Sequence, residues 1–449
     1  MNHLLILSVW LFTLLFRTHR SPNFPPGPRP IPIFGNLLEL DLENPLADLR
    51  RLSKQYGNVY SVFIGSKPVV VLNGFQAIKE ALVNKGNDFS GRAQDLMVNR
   101  AAPGVILADY SSAWREQRRF GLMTLRNYGL GKDSMEQRIL GEVNTLMKLM
   151  EQSLGQTLRP QLIFHCASSN IISQILFAQQ HNYEHEFMKF FVTLFHETSK
   201  IINGRWGMLY DSFPFIRFLP LPFRRAFTLF QVIRDDSKKT RVRGKPRHLI
   251  DCYLDELDKR GDDGSSFSEE NLLSLLLDFH FAGTDTTANT LLTAFLYLMN
   301  YPQVQERCQK EIDEVLDGKD QVRFEDRHEM HYTQAVLHEV QRVADTGTLI
   351  IPNLSSTLTE EGFGKTPPLQ PHNFLNDEGQ FVKPENFIPF SNLARMELFL
   401  IVVTLLRRFS FIWPEDGGTP DFTLFMGQPR PQTYGMKHAS TWVRTQIHW

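Results

Sequence analysis

Cysteine is scarce in this chain of 449 residues: only Cys166, Cys252 and Cys308 occur. The number is odd, and no C-x-x-C or Cys/His metal spacing is present. That excludes a disulfide scaffold and a structural zinc site, and it reads as a reduced, cytosol-facing protein. Net charge is also missing: Lys plus Arg (48) and Asp plus Glu (49) nearly cancel. A near-neutral chain lacks the electrostatic footprint of a nucleic-acid binder, so no nucleic-acid partner is expected. No Gly/Ser linker, low-complexity tract or fixed-period repeat divides the sequence, which favours one large body over a string of modules. Phenylalanine, by contrast, is abundant, with 35 residues. Such side chains bury large apolar areas and supply a big core or an apolar pocket.

The one long apolar run is Leu4 to Phe16 (LLILSVWLFTLLF), followed at once by Arg17, His19 and Arg20. It is shorter than the roughly 20 residues of a full crossing. The basic flank and the absence of a small-x-small cleavage site favour a signal anchor over a cleaved signal, with the body on the cytosolic side. Pro22 to Pro30 (PNFPPGPRP) then reads as a stiff, extended spacer, with a PxxP ligand as the alternative.

The coarse pattern is mainly α with a minor β region. Val59 to Leu72 reads as a hairpin around Gly-Ser-Lys-Pro. Gln76 to Lys85 reads as helical, and helical periodicity dominates from about Ala113, with Leu140, Val143, Leu146, Met147 and Met150 on one face. Phe187, Phe190, Phe191 and Phe195 share another face. Ser266 to Glu269 fits a capping box opening a helix of about 30 residues. Arg323 to Ala344 and Leu393 to Phe409 complete the helical set.

Ala282-Gly283-Thr284-Asp285-Thr286-Thr287 interrupts that long apolar helix. Glycine costs about 1 kcal/mol there, threonines compete for backbone bonds, and a buried Asp needs a partner. Local conflicts of this kind mark functional sites, though a kinked core helix is the plainer reading. Glu339 and Arg342 sit at i, i+3, positioned for an ion pair. Trp114 and Arg118 are i, i+4 neighbours in Trp114 to Phe120 (WREQRRF), with Arg115 and Arg119 beside them. Arg241 to Arg247 is a basic run, read as a solvated loop with anionic lipid as a minor contact.

Together these segments resemble the cytochrome P450 monooxygenases, microsomal family-2 type, over roughly residues 1 to 430. The resemblance implies a cytochrome P450 fold, incomplete here. It implies a membrane anchor at 1–20, a proline-rich hinge at 21–35 and a domain over 36–449 that lacks two internal segments. By the same likeness, Thr286 and Asp285 are the catalytic pair that handles dioxygen and protons. Ala282 and Gly283 face the haem, Gly283 leaving room over it. Trp114 and Arg118 hold a haem propionate, and Glu339 with Arg342 form a structural ion pair. The implied chemistry is NADPH- and oxygen-dependent oxidation of a lipophilic small molecule at the endoplasmic reticulum membrane, with a flavin reductase as electron donor and membrane lipid as a further contact.

The likeness breaks in two places. After Arg342 the chain passes from Val343-Ala344-Asp345-Thr346-Gly347 almost directly to a later family segment, Leu349 to Ser356. After Phe390-Ser391, where the family carries F-x-x-G-x-R-x-C-x-G with its haem-ligating cysteine, the chain continues Asn392-Leu393-Ala394-Arg395-Met396-Glu397-Leu398-Phe399. Cuts between matched flanks fit altered splicing or an imperfect gene model. None of the three cysteines has a counterpart that ligates iron, so haem retention and oxygen cleavage are expected to suffer. The alternative function is a non-catalytic relative, a splice variant or pseudoenzyme, that binds lipophiles or partner proteins.

Overall fold

The computed structural model describes residues 23–41, 45–92, 97, 104–106, 108–127, 133–152, 157–158, 160–183, 197, 201, 205–219, 248–261, 264, 266–344, 368–385, 387, 392–413, 424–425, 428–429 and 436–437. The apolar run 4–16, the four-phenylalanine face, the basic run 241–247 and the segments 345–356 and 390–391 lie outside them. Among the described residues no helix is long and apolar enough to cross a membrane. In chain order the main elements are α1 (Pro45–Tyr56), β1 (Val59–Ile64), β2 (Lys67–Leu72), α2 (Phe75–Lys79), α3 (Ser112–Asn127), α4 (Asp133–Gln152), α5 (Pro160–Leu176), α6 (Arg205–Ser212), α7 (Leu249–Arg260), α8 (Glu269–Asn300), α9 (Pro302–Val315), α10 (His331–Ala344) and α11 (Asn392–Arg408). The protein is mainly helical with a small β part, as the sequence pattern requires.

The chain groups into two compact units. The first contains residues 1–111, 197–236 and 347–366. Its hairpin pairs β1 and β2 antiparallel from Val59↔Leu72 to Ile64↔Lys67. The turn therefore narrows to Gly65-Ser66, and Lys67-Pro68 joins the strand. Leu40, Leu49, Leu52, Tyr60, Val62, Val69 and Val71 form its core, and the Tyr60 hydroxyl donates to the Leu49 carbonyl at 2.7 Å, tying α1 to β1. The proline-rich segment is tied down at its middle. Ser61 donates from its backbone N–H to Pro26 O (2.8 Å) and from its hydroxyl to Pro25 O (2.7 Å). Proline carbonyls remain acceptors although the ring removes the donor, so the spacer docks along β1 one-sidedly. The helix expected from Gln76 to Lys85 is α2 followed by a π-turn, Glu80–Asn84.

The second unit contains residues 112–196, 237–346 and 367–449. Here α8 is the axis. It is 32 residues long and buried nearly all round, from Leu272 to Asp278 and from Thr287 to Met299. A helix apolar on every side belongs inside a bundle, and α5, α10, α11, α9 and α7 all pack on it. Its most extensive partner is α5. The start of α8 differs from the capping box read at Ser266. The cap is Ser268, whose hydroxyl accepts the Asn271 N–H at 3.1 Å. Ser266 is diverted: its hydroxyl donates to Glu116 of α3 (2.6 Å), and its carbonyl accepts from Gln117 (2.8 Å) and Asn271 (2.7 Å). The helix expected over 323–344 splits into a 3-10 turn, Phe324–His328, and α10. Asp326 explains the break, because its carboxylate accepts the Arg323 N–H (2.7 Å) and the Lys319 ammonium (2.8 Å) and so closes a separate turn.

Replacing Ser268 by Ala removes the α8 cap and is expected to lower unfolding free energy by about 1 kcal/mol, whereas Ser268→Gly costs only a few tenths. Urea denaturation followed by circular dichroism checks both.

Candidate functional site

All the residues singled out for chemistry lie in the second unit. Along α8 the burial pattern opens at one stripe. Ala282 is exposed, and Phe279, Phe281, Gly283 and Thr286 are half-buried, while the residues before 279 back to Leu272 and those from Thr287 to Met299 are buried. Of these, Phe279, Ala282, Gly283 and Thr286 follow i, i+3, i+4, i+7 and form one face. An open stripe in the middle of a core helix is a surface on which a flat group can lie. Thr286 borders it, its hydroxyl donating back to the Ala282 carbonyl at 2.5 Å.

Gly283 is turned away from the centre of that stripe. A Cβ at this position would overlap the Cγ1 and Cδ1 of Ile172 on α5. The missing side chain is thus occupied by a neighbouring helix, a packing role, and Ala282 holds the open side in its place. Asp285 is buried on the same α5 seam, with Oδ1 3.1 Å from His165 Nε2. His165 Nδ1 in turn lies 2.7 Å from the Gln161 carbonyl. Asp285 and Thr286, adjacent in sequence, therefore point to different neighbours.

Glu339 is completely buried and fully used. Arg342 donates to both its oxygens (2.7 and 2.8 Å), and the Gln370 N–H (2.9 Å) and Asn373 amide (3.5 Å) donate as well. The bidentate geometry is the strong form of this ion pair. His338, one residue earlier, is ringed by Phe374, Phe381 and Phe387 at 4.5–5.7 Å. Burial pushes its pKa down to about 4, so the ring is neutral. On α3, Arg118 is exposed and lies over the Trp114 ring at 5.5 Å, with Arg115 and Arg119 exposed beside it.

The resemblance implies a haem, and the open stripe over Ala282 suits a planar group. The sulfur donors do not suit a thiolate ligand. Cys166 and Cys308 lie inside α5 and α9 at 0% and 1% exposure. Burial pushes the Cys308 thiol up to about 12, so it is a neutral thiol. Cys252 is half-buried on α7. The hydroxyl of its neighbour Tyr253 meets the Ser268 N–H at the start of α8, about 20 Å along the helix from Ala282.

Pattern reading passed over two residues near the stripe. His165 is a lone histidine on an apolar helix, 120 positions from Asp285, and no local signal marks it. Glu397 on α11 is fully buried, and neither carboxylate oxygen makes a hydrogen bond of normal geometry among the described residues. Burial pushes its pKa up to about 8, the nearby Thr287 hydroxyl offsetting part of the rise.

Two outcomes follow from this geometry. Gly283→Ala forces a Cβ into Ile172 and is expected to cost about 1–3 kcal/mol. Adding Ile172→Ala removes the overlapping atoms, so the double variant loses less than the two singles summed, measured by urea denaturation. Glu397 is protonated in the folded chain over the window in which the unfolded glutamate, with its ordinary value of 4.5, is already ionised. The unfolded state then binds fewer protons, so stability falls as pH rises from about 4.5 to about 8, by on the order of 1 kcal/mol per pH unit. Glu397→Gln is expected to flatten that slope in denaturation curves across the same range.

The cytochrome P450 family model matches residues 25–347 and 344–434, and the match divides at the first break seen after Arg342. Cytochrome P450 2D10 of Mus musculus is 36% identical, covering 96% of this chain and 93% of the relative. Cytochrome P450 2F2 of Mus musculus is 36% identical over 91% of this chain and 93% of its own length. Cytochrome P450 2B4 of Oryctolagus cuniculus is 36% identical, with 92% and 93% covered. The alignment with the first of these runs over 478 positions, more than the 449 residues of this chain, so that relative carries residues inside the matched span that this chain does not. With a family match over most of its length and relatives of this kind, the chain belongs to the cytochrome P450 family, microsomal family-2 type.

Proposed function

We propose that this chain is an endoplasmic-reticulum-anchored cytochrome P450 relative that keeps the lipophile-binding frame of a haem-thiolate monooxygenase without its oxygen chemistry. The observation that carries the reading is the placement of sulfur: Cys166 and Cys308 are sealed inside α5 and α9, and Cys252 is half-buried on α7, so none of the three stands on the α8 stripe. A thiolate supplies the electron density that favours O–O cleavage in this family, and no residue of this chain offers one at the stripe. The abrupt passage from Phe390-Ser391 to Asn392 in sequence, and an alignment longer than the chain, support the same reading.

The chain's remaining residues have defined work in this reading. Ala282 and Thr286 present a small, mostly apolar floor suited to a lipophilic molecule. Glu339 and Arg342 brace α10 to the segment after 368. The exposed Arg115, Arg118 and Arg119 give a basic face to an acidic partner such as a flavin reductase. Residues 1–20 anchor the body to the membrane, and 21–35 space it from the lipid.

Retention of Asp285 and Thr286 favours the other reading, an active NADPH- and oxygen-dependent monooxygenase. The two readings part in the absorbance spectrum of the full chain extracted from membranes, reduced and exposed to carbon monoxide. The expected result is either no haem band or a Soret band without the thiolate shift. A thiolate-shifted band means that a cysteine reaches iron and overturns the proposal.

A further inference from the structure

The end of α6, in the first unit, carries a carboxyl group that the functional reading does not use. Asp211 is half-buried, and its Oδ1 accepts the main-chain N–H of Met97 at 2.7 Å, across 114 positions of sequence. Met97 is itself fully buried. The next residue, Ser212, rests on the β1–β2 turn, where a Cβ added at Gly65 would lie 3.0 Å from the Ser212 Cβ. The end of α6 therefore joins the hairpin and the chain at Met97. A carboxylate in such a place ordinarily takes a cation as partner. Among the described residues the charged groups that act on Asp211 are Lys67 of β2 and Arg217 of the 3-10 turn Pro214–Phe218. Neither is seated on it. The Lys67 ammonium nitrogen is buried without a hydrogen-bond partner. Arg217 is drawn to Tyr210, donating Nε to its carbonyl (3.2 Å) and lying over its ring (4.7 Å). The carboxyl thus holds a main-chain bond with no cation in contact, an arrangement that favours the neutral acid. Burial raises its pKa from 3.8 to about 6, the Met97 N–H and the two cations offsetting part of the rise. A neutral carboxyl still accepts through its carbonyl oxygen, so the bond to Met97 survives protonation.

We propose that Asp211 is a latch that holds the chain at Met97 on the end of α6, and that this latch tightens in acid and loosens towards neutral pH. When the latch opens, Asp211 enters water and regains the ordinary value of an aspartate, 3.8. Between that value and about 6 the closed form keeps a proton that the open form releases. Opening therefore becomes easier as pH rises through that window, and it levels off above it, where both forms are ionised. Lys67 works against the loosening, because its positive charge stabilises the ionised carboxylate of the closed form. The device lies wholly in the first unit and needs no iron, so it stands or falls independently of whether the chain holds a thiolate-bound haem.

Hydrogen–deuterium exchange of the full chain in detergent, read at the Met97 amide by mass spectrometry with fragmentation, is the test. Rates are corrected for the intrinsic pH dependence of amide exchange. Wild type is expected to lose about tenfold in protection at Met97 between about pH 5 and about pH 7.5. Asp211→Asn keeps an acceptor that cannot ionise, so its protection is expected to stay level across the same range. Asp211→Ala removes the acceptor and is expected to exchange about tenfold faster than Asp211→Asn at both ends of the range. Lys67→Met removes the opposing cation, so the midpoint of the wild-type transition is expected to move to higher pH. Protection in wild type that does not change with pH, or a slope that persists in Asp211→Asn, overturns the proposal. If the Asp211 variants fail to fold, wild type and Lys67→Met decide, and a midpoint that does not move in Lys67→Met sinks the idea.

Discussion

The close approach of α5 to α8 is the constraint on which the second unit is built. Gly283 has no side chain because Ile172 fills that space. Two residues on, Asp285 meets His165 across the same seam. Steric fit and charge are thereby registered together, since a slide of one helix along the other would lose both contacts. The exposed stripe at Ala282 follows from this arrangement. With α5 covering the side of Gly283 and Asp285, the remaining face of the motif is left open.

Around that axis the protein repeatedly solves one problem, the unpaired backbone groups at helix ends. Glu311 of α9 accepts the N–H groups of Tyr332 and Thr333 (both 2.7 Å) and the Thr333 hydroxyl (2.6 Å), capping α10 from a neighbouring helix. Gln305 and Gln309 of α9 donate to the carbonyls of Phe411, Leu406 and Phe409 (2.9–3.1 Å), holding the end of α11 and the residues after it. Arg407 donates to the carbonyls of Leu316 and Lys319 at the end of α9. The helices are thus joined by polar clasps at their ends and by apolar contact along their lengths.

Much of this was legible in the sequence because the signals were periodic. The hairpin, α3, α4, α8 and α11 lie where alternation or i, i+3, i+4 spacing put them, and Glu339 with Arg342 pairs as its spacing allowed. What was not legible depends on partners distant in the chain. Ser266 looks like a cap until Glu116 and Gln117, about 150 positions away, claim it. Glu142 on α4 reads as a polar helix residue, yet it is buried and accepts from Asn170, Gln180 and Tyr183. Gly283 shows the limit of the family likeness. The motif identified the position, but only the packing of Ile172 shows which way the glycine faces.

Glu339 has a further consequence for the chain around the first sequence break. Its carboxylate grips Arg342 on one side and the Gln370 N–H and Asn373 amide on the other, so both flanks of residues 345–367 are fixed to one side chain. Removing that one carboxylate takes the acceptor from all three donors at once, so the end of α10 and the segment from residue 368 lose their shared tie in a single step.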